Sequence, residues 1–373
     1  MNFLQCFPSV FVVGQEYEII LSAKVKGLAC VEIAGEKYYE DFAGILPTER
    51  IAHKIRVPQS ALDNAERYTL LFKAVPNRQA YFTVTMPEES EEFSFLPLKK
   101  EQDIRALHIA DVHYDFASAK DMARNIQGVD LFIVNGDIGE VETEENYLEV
   151  LEMIGDISQG KKPVLCARGN HDCRGKLAER YMDFLPSENG NTYFSFELGC
   201  LQGVVLDCGE DKADDYVIPN AETIETSKPY NGVNRFTPFR KRELAYLQSL
   251  NNRKPDKIFF AVSHICPVQT TNNKGDRFDI DREIYTQWNN ELERLHTQFM
   301  ICGHWHKTYI LLPDDERNTV SHSYPVIIGA ENKADDMTAV FSIGCLLIIN
   351  KHTLNVQFVN KKGLILQEHQ LLT

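Results

Sequence analysis

Five short apolar runs, each stopping at a cluster of metal-competent side chains, constrain this chain more than anything else in it. Residues 104–110 lead into Asp111-Val112-His113, and residues 129–134 lead into Gly136-Asp137. Residues 163–167 lead into Arg168-Gly169-Asn170-His171-Asp172. Residues 258–262 lead into Ser263-His264, and residues 299–301 lead into Gly303-His304-Trp305-His306. Runs of this length and composition read as strands buried on both faces. In an open α/β sheet, ligands bind in the crevice beyond the carboxyl ends of the strands, so donors remote in sequence converge there. Carboxylate, amide and imidazole donors at five such ends predict a site for divalent metal.

The segments between and after these runs support a layered domain. Tyr147, Val150, Leu151, Ile154 and Ile157 recur at helical spacing, as do Leu244, Leu247 and Leu250. Alternation of such helices with the apolar runs predicts an α/β architecture. Beyond His306, residues 326–328, 340–349 and 354–359 read as strands of a second sheet. The first 98 residues differ. Residues 17–23, 50–57, 67–75 and 80–85 are rich in β-branched and aromatic residues, and Gly35, Gly44, Pro47, Pro58 and Pro76-Asn77 punctuate them. This predicts a small β-sandwich of about seven strands. It holds no donor cluster, and its isolated His53 reads as structural. The acidic residues 87–92 and the polar residues 98–103 read as solvated connections, dividing the chain into 1–98 and 99–373.

Charge narrows the partners. Lys and Arg total 39 against 54 Asp and Glu, a formal charge of −15 that repels a phosphate polymer and speaks against extended nucleic-acid binding. Nine cysteines without regular spacing, among them Cys166, Cys302 and Cys345 inside apolar runs, fit a reducing, cytoplasmic setting. The start Met1-Asn2-Phe3-Leu4-Gln5-Cys6 lacks a basic segment, and no apolar run approaches the ~20 residues of a membrane span. Neither a signal peptide nor a membrane partner is expected.

The order D-x-H, G-D, G-N-H-D, H, G-H-x-H from Asp111 to His306 resembles the calcineurin-like metallophosphoesterase superfamily. The resemblance implies a two-sheet αββα sandwich, here preceded by the all-β domain in a layout similar to that of purple acid phosphatases. It also implies a phosphatase or phosphodiesterase of small molecules that uses two divalent ions, manganese, iron, zinc or nickel. A nuclease of the superfamily and a non-catalytic interaction module are the alternatives. The negative charge speaks against the first, and retention of His171 with every ligand position against the second.

Carried over residue by residue, Asp137 would bridge the two ions. Asp111, His113 and His306 would complete one shell, and Asn170, His264 and His304 the other. His304 and His306, two apart, would share one face on an extended strand, whereas a kink would turn one of them away. His171 would act as general acid, oriented by either Asp172 or Glu140. Arg168 and Arg174 flank the turn as candidates for phosphate oxygens, whereas Cys166 and Cys173 are expected to stay out of the shell. Purple acid phosphatases carry a tyrosine three residues after the bridging aspartate and lack the first histidine. Here Glu140 and His113 stand at those positions, so no purple charge-transfer colour is expected. Residues 138–141 also lack the arginine pair of the Ser/Thr protein phosphatases, which speaks against a phosphoprotein substrate. Residues 207–238 lose periodicity and read as a substrate lid.

Overall fold

The computed structural model describes residues 2–40, 42–98, 103–217, 222, 233, 235–251, 253–271, 278–335 and 338–372. The first part of the chain forms β1 (Ser9–Val13), β2 (Glu16–Ser22), β3 (Gly27–Ile33), β4 (Glu36–Tyr39), β5 (Ala52–Pro58), α1 (Gln59–Ala65), β6 (Arg67–Ala74) and β7 (Glu89–Ser94). Next come β8 (Ile104–Ile109), α2 (Phe116–Asn125), β9 (Leu131–Asn135), α3 (Glu144–Ser158), β10 (Pro163–Ala167) and α4 (Tyr181–Phe184). The chain continues with β11 (Phe194–Leu198), β12 (Leu201–Leu206), α5 (Phe236–Ser249), β13 (Ile258–Ser263), α6 (Arg282–Arg294) and β14 (Phe299–Cys302). It ends with β15 (Lys307–Leu311), β16 (Val326–Asp335), β17 (Thr338–Ile349), β18 (Thr353–Asn360) and β19 (Ile365–Leu372). The five apolar runs are thus β8, β9, β10, β13 and β14.

These strands lie in two layers. In one, β8, β9 and β10 run parallel, with β17, β18 and β19 following antiparallel on the β8 side. In the other, β12, β13, β14 and β16 run parallel, with β11 and β15 antiparallel at the margins. The layers are joined because β16 pairs first with β14, through Val326 to Ile328, and then with β17 from Glu331 onward, with an irregularity between Glu331 and Asn332. Side chains alternate along each strand. Leu131, Ile133 and Leu165 therefore meet Phe260, Val262 and Ile301 between the layers. Phe132, Val134 and Val164 pack outward with Tyr147, Leu151 and Ile154 of α3, and Phe259, Ala261 and Met300 pack with Trp288 and Leu292 of α6. The result is the expected αββα order.

The amino-terminal sandwich shares a layer with this domain. β4, β3, β6 and β7 form a separate four-stranded sheet, while β1 pairs parallel with β10 and carries β2 and β5 with it. Val10, Ile19, Ile55 and Val57 of the shared layer pack in one core with Val31, Leu70 and Phe72 of the small sheet. Two local expectations are corrected. Residues 80–85 form no strand, and Tyr81 and Phe82 stand 93% and 88% exposed. The edge of β6 is taken instead by the acidic run read as a linker, which pairs through Thr69↔Glu92 and Leu71↔Ser90 as β7. An edge strand tolerates charge on its open side, and the buried Phe93 anchors it. Within the second polar connection, residues 99–102 lie outside the described residues. Among the described residues no helix is long and apolar enough to cross a membrane.

The contact that seats β1 is tight. A Cβ built at Gly155, inside α3, would lie 2.3 Å from the carbonyl oxygen of Phe7, just ahead of β1. Gly155→Ala should therefore lower stability by about 1–3 kcal/mol through overpacking. Helix propensity alone predicts the opposite, a gain of about 1 kcal/mol. Guanidinium unfolding midpoints of the two proteins decide between them, and a rise in the variant would show that the close approach is absent.

Candidate metal centre

The carboxyl ends of β8, β9 and β10 in one layer, and of β13 and β14 in the other, open onto one crevice. Asp111, His113 and His306 form one donor group there; Asp137, His264 and His304 form a second, and within each group the ligand atoms lie within 4.8 Å of one another. The groups touch. Asp137 Oδ2 is 3.1 Å from His264 Nε2 and 3.9 Å from His113 Nε2. Asp111 Oδ1 is 3.2 Å from His306 Nε2 and 3.8 Å from His264 Nε2. Asn170 Oδ1 lies 3.0 Å from His304 Nδ1, which places the amide with the second group.

Local backbone geometry aims these side chains. Asp111, His113, Asp137, His304 and His306 all adopt positive φ, between 44° and 70°, a region that non-glycine residues enter at a cost of roughly 1–3 kcal/mol each. Of the two arrangements open to His304 and His306, a shared face on an extended strand or a kink that parts them, the backbone takes the kinked one. They occupy a left-handed turn that sends one imidazole to each group. Two glycines are required by close approach: a Cβ at Gly169 would fall 2.2 Å from Asp137 Oδ1, and one at Gly303 would fall 2.7 Å from Asp111 Oδ2. These two glycines thus make room for the carboxylates of other blocks, while Gly136 makes room for the backbone of Gly169 and the ring of His264.

A layer of buried polar groups holds the ligands. His264 Nδ1 donates to the Asn135 carbonyl at 2.7 Å, leaving Nε2 directed at the carboxylates, buried and without a hydrogen-bond partner. Asn135 Nδ2 reaches the Ser263 carbonyl at 3.2 Å and the Ile301 carbonyl at 3.3 Å, tying β9 to the opposite layer, and lies 3.0 Å from His108 Nε2. Asn332 Nδ2 donates to the Asp111 carbonyl at 3.0 Å. Sequence reasoning did not single out Asn135, His108 or Asn332. The one available signal was a polar residue closing an apolar run directly before Gly136-Asp137.

The two candidates for orienting His171 separate. Glu140 Oε1 lies 2.8 Å from His171 Nδ1. Asp172 instead accepts the backbone N–H groups of Asp137 at 2.9 Å, Ile138 at 3.1 Å and Gly169 at 2.8 Å, binding two turns together. Burial first, and then the Asp137 carboxylate, push Asp172 up to about 6, against the pull of the Gly169 amide. Arg168 pairs at 2.8 Å with the buried Asp207. Arg174 is at the site, with Nη1 3.1 Å from His171 Nε2. Cys173 Sγ contacts the Gly169 carbonyl and Cys166 Sγ faces Tyr181, so neither thiol enters the donor groups. Of the irregular stretch read as a lid, residues 209–217 run beside Arg174, whereas residues 218–221, 223–232 and 234 lie outside the described residues.

The donor set fits divalent cations. Burial works against a charged His264, but Asp137 and Asp111 outweigh it and hold the group up to about 10. Burial likewise opposes ionisation of Asp137, yet the His264 imidazole keeps its carboxyl well below the usual range. His113 Nε2 and His306 Nε2 face each other at 3.2 Å, a separation two lone pairs tolerate only with a proton or cation between them. Two buried carboxylates ringed by imidazole nitrogens and an amide oxygen, without thiolate, match borderline divalent transition metals.

A family model described as calcineurin-like phosphoesterase matches residues 104–308, which contain every candidate ligand. In fold the chain is similar to the purple acid phosphatase PPD1 isolated from yellow lupin (Lupinus luteus) seeds, with a TM-score of 0.61 at 12% identity over 98% of this chain and 74% of that one. It is similar also to PhoD, with a TM-score of 0.54 at 11% identity over 98% of this chain and 88% of that one. No curated protein sequence matches it. The match spans more than half of the chain and runs through all five blocks, and the chain belongs to the calcineurin-like phosphoesterase family.

Proposed function

We propose that this metal-dependent phosphoesterase is a dinuclear hydrolase of small phosphate esters, with residues 99–373 as its catalytic domain. The observation that carries this reading is the position of Asp137 Oδ2 between the two donor groups, where one carboxylate can serve two ions. Asp111, His113 and His306 would hold one ion and Asn170, His264 and His304 the other, and manganese, iron, zinc and nickel all suit such donors. When bound, two such ions supply charge neutralisation for the phosphoryl oxygens and a lowered pKa for the attacking water.

The remaining steps belong to the chain. His171 stands outside both donor groups, 4.0 Å from Asp137 Oδ2, and donates Nδ1–H to Glu140, so its Nε2 faces the crevice as the atom that delivers a proton to the leaving oxygen. Glu140 orients the ring. Asp172 keeps the turns carrying Asp137 and Asn170 at their separation. The formal charge of −15 favours small esters over nucleic-acid polymers.

Four outcomes are expected. Chelation should abolish hydrolysis of p-nitrophenyl phosphate, and a divalent transition metal should restore it; full turnover by protein that elemental analysis shows to be metal-free would refute the dinuclear reading. His171→Ala should retain both metals while slowing an alkyl ester by about 10²–10⁴ and a p-nitrophenyl ester far less, because only the basic leaving group needs the proton. Glu140→Gln should show a smaller loss with the same ester dependence, whereas equal losses on both esters would exclude the acid role. Asp172→Ala should cost about 2–4 kcal/mol in a denaturant titration, since it strips an ionised acceptor from several buried amides. A stability change under 0.5 kcal/mol would show that those amides do not depend on it.

A further inference from the structure

Arg174 is held in a way that the hydrolase reading does not require. Its Nε donates to Glu210 Oε2 at 2.9 Å, and its Nη2 donates to Glu210 Oε1 at 2.6 Å and to Asp211 Oδ1 at 3.1 Å. Two of the three guanidinium nitrogens are thus committed to carboxylates on one side. The third, Nη1, points the other way and donates to His171 Nε2 at 3.1 Å. The carboxylates are themselves fixed. Arg240, fully buried, donates to the carbonyls of Cys208 and Lys212, each at 3.0 Å, and to that of Glu210. It is anchored in turn on Asp281 at 2.6 Å, at the start of α6. The loop therefore presents one cationic N–H fork edge to the crevice beside the acid histidine, with little freedom to turn away.

We infer that Arg174 is the specificity-determining residue that selects phosphomonoesters over phosphodiesters, and that Glu210 and Asp211 position it. The inference rests on the two-metal reading. A monoester carries three non-bridging oxygens, so two can face a metal pair while the third accepts from Nη1. A diester carries only two, and its third substituent is an ester oxygen bearing carbon, a weaker acceptor and a bulkier group at that point. Because His171 Nε2 now accepts from Nη1, a phosphoryl oxygen that takes over this donor leaves Nε2 free to take up a proton from solvent, which it then delivers to the leaving oxygen. A guanidinium fork fixed from behind is suited to such discrimination, whereas a lysine supplies charge without the fixed direction.

The test uses full-length, metal-loaded protein and two substrates sharing a leaving group, p-nitrophenyl phosphate and methyl p-nitrophenyl phosphate. Wild type, Arg174→Met, Arg174→Lys and Glu210→Gln are compared in kcat and KM, with metal content and unfolding midpoint measured on each. Arg174→Met should lower kcat/KM for the monoester by about 10- to 100-fold, the worth of one charge-assisted hydrogen bond. That loss should exceed the loss on the diester at least tenfold. Arg174→Lys should recover part of it, and Glu210→Gln should raise KM for the monoester more than for the diester. Equal losses on both substrates, or a wild-type preference for the diester, overturn the inference and leave the hydrolase reading standing. Hydrolysis of neither ester by the metal-loaded wild type overturns both.

Discussion

Asp111 and Asp137 lie fully buried at the seam of two sheets, and a charge placed there persists only where partners compensate it. The compensation comes from blocks far apart in the chain. Both oxygens of Asp111 accept the backbone N–H of His304 at 3.0 Å, and Asp137 Oδ1 accepts that of His171 at 2.8 Å. Each carboxylate thus fixes the backbone of a turn that carries another block's donor. Removing either would leave imidazoles crowded without a counter-charge and turns held in left-handed conformations without their tether. The strain at five candidate ligands is sustained by this mutual dependence, with Asp172 and Asn135 binding the same turns from behind.

Much of this was legible in the sequence because it rests on short-range signals. An apolar run ending in a polar block reads as a buried strand with a functional tip, and all five such runs are strands. Glycines preceding the candidate ligands were legible as a pattern, but their cause is a close approach from a different block, a carboxylate at Gly169 and Gly303, which no local reading contains. The turn at His304 and His306 stayed open in the sequence for a related reason: alternation in an extended strand is the default for residues two apart, and the positive φ that overrides it goes with contacts to Asp111. Residues 80–85 failed as a strand although their composition favours one, because β-propensity acts only where an edge is available, and β7 had taken it. Asp172 carried the same ambiguity as Glu140 in sequence. Only the distances separate an acceptor of backbone amides from a partner of His171.

The sandwich at the amino end is more than an appended module. β1 continues the catalytic layer beside β10, the strand whose end carries Asn170 and His171, so its five buried residues shield an edge that would otherwise be open.

β16 belongs to both layers, pairing with β14 through Val326 to Ile328 and with β17 from Glu331 onward, across the irregularity between Glu331 and Asn332. The donors from β8, β9 and β10 sit on one side of that shared strand and those from β13 and β14 on the other. Two sheets held only by apolar packing can slide by fractions of an ångström at little cost. Here sliding would break the ladder of a single strand, and Asn332, at the irregularity, is hydrogen-bonded to the Asp111 carbonyl. The spacing between the two donor groups is accordingly a matter of hydrogen-bond register, which changes in whole residues or not at all. Substitutions that alter what this crevice accepts must therefore act through the loops around it, because the distance across it has no small increments to offer.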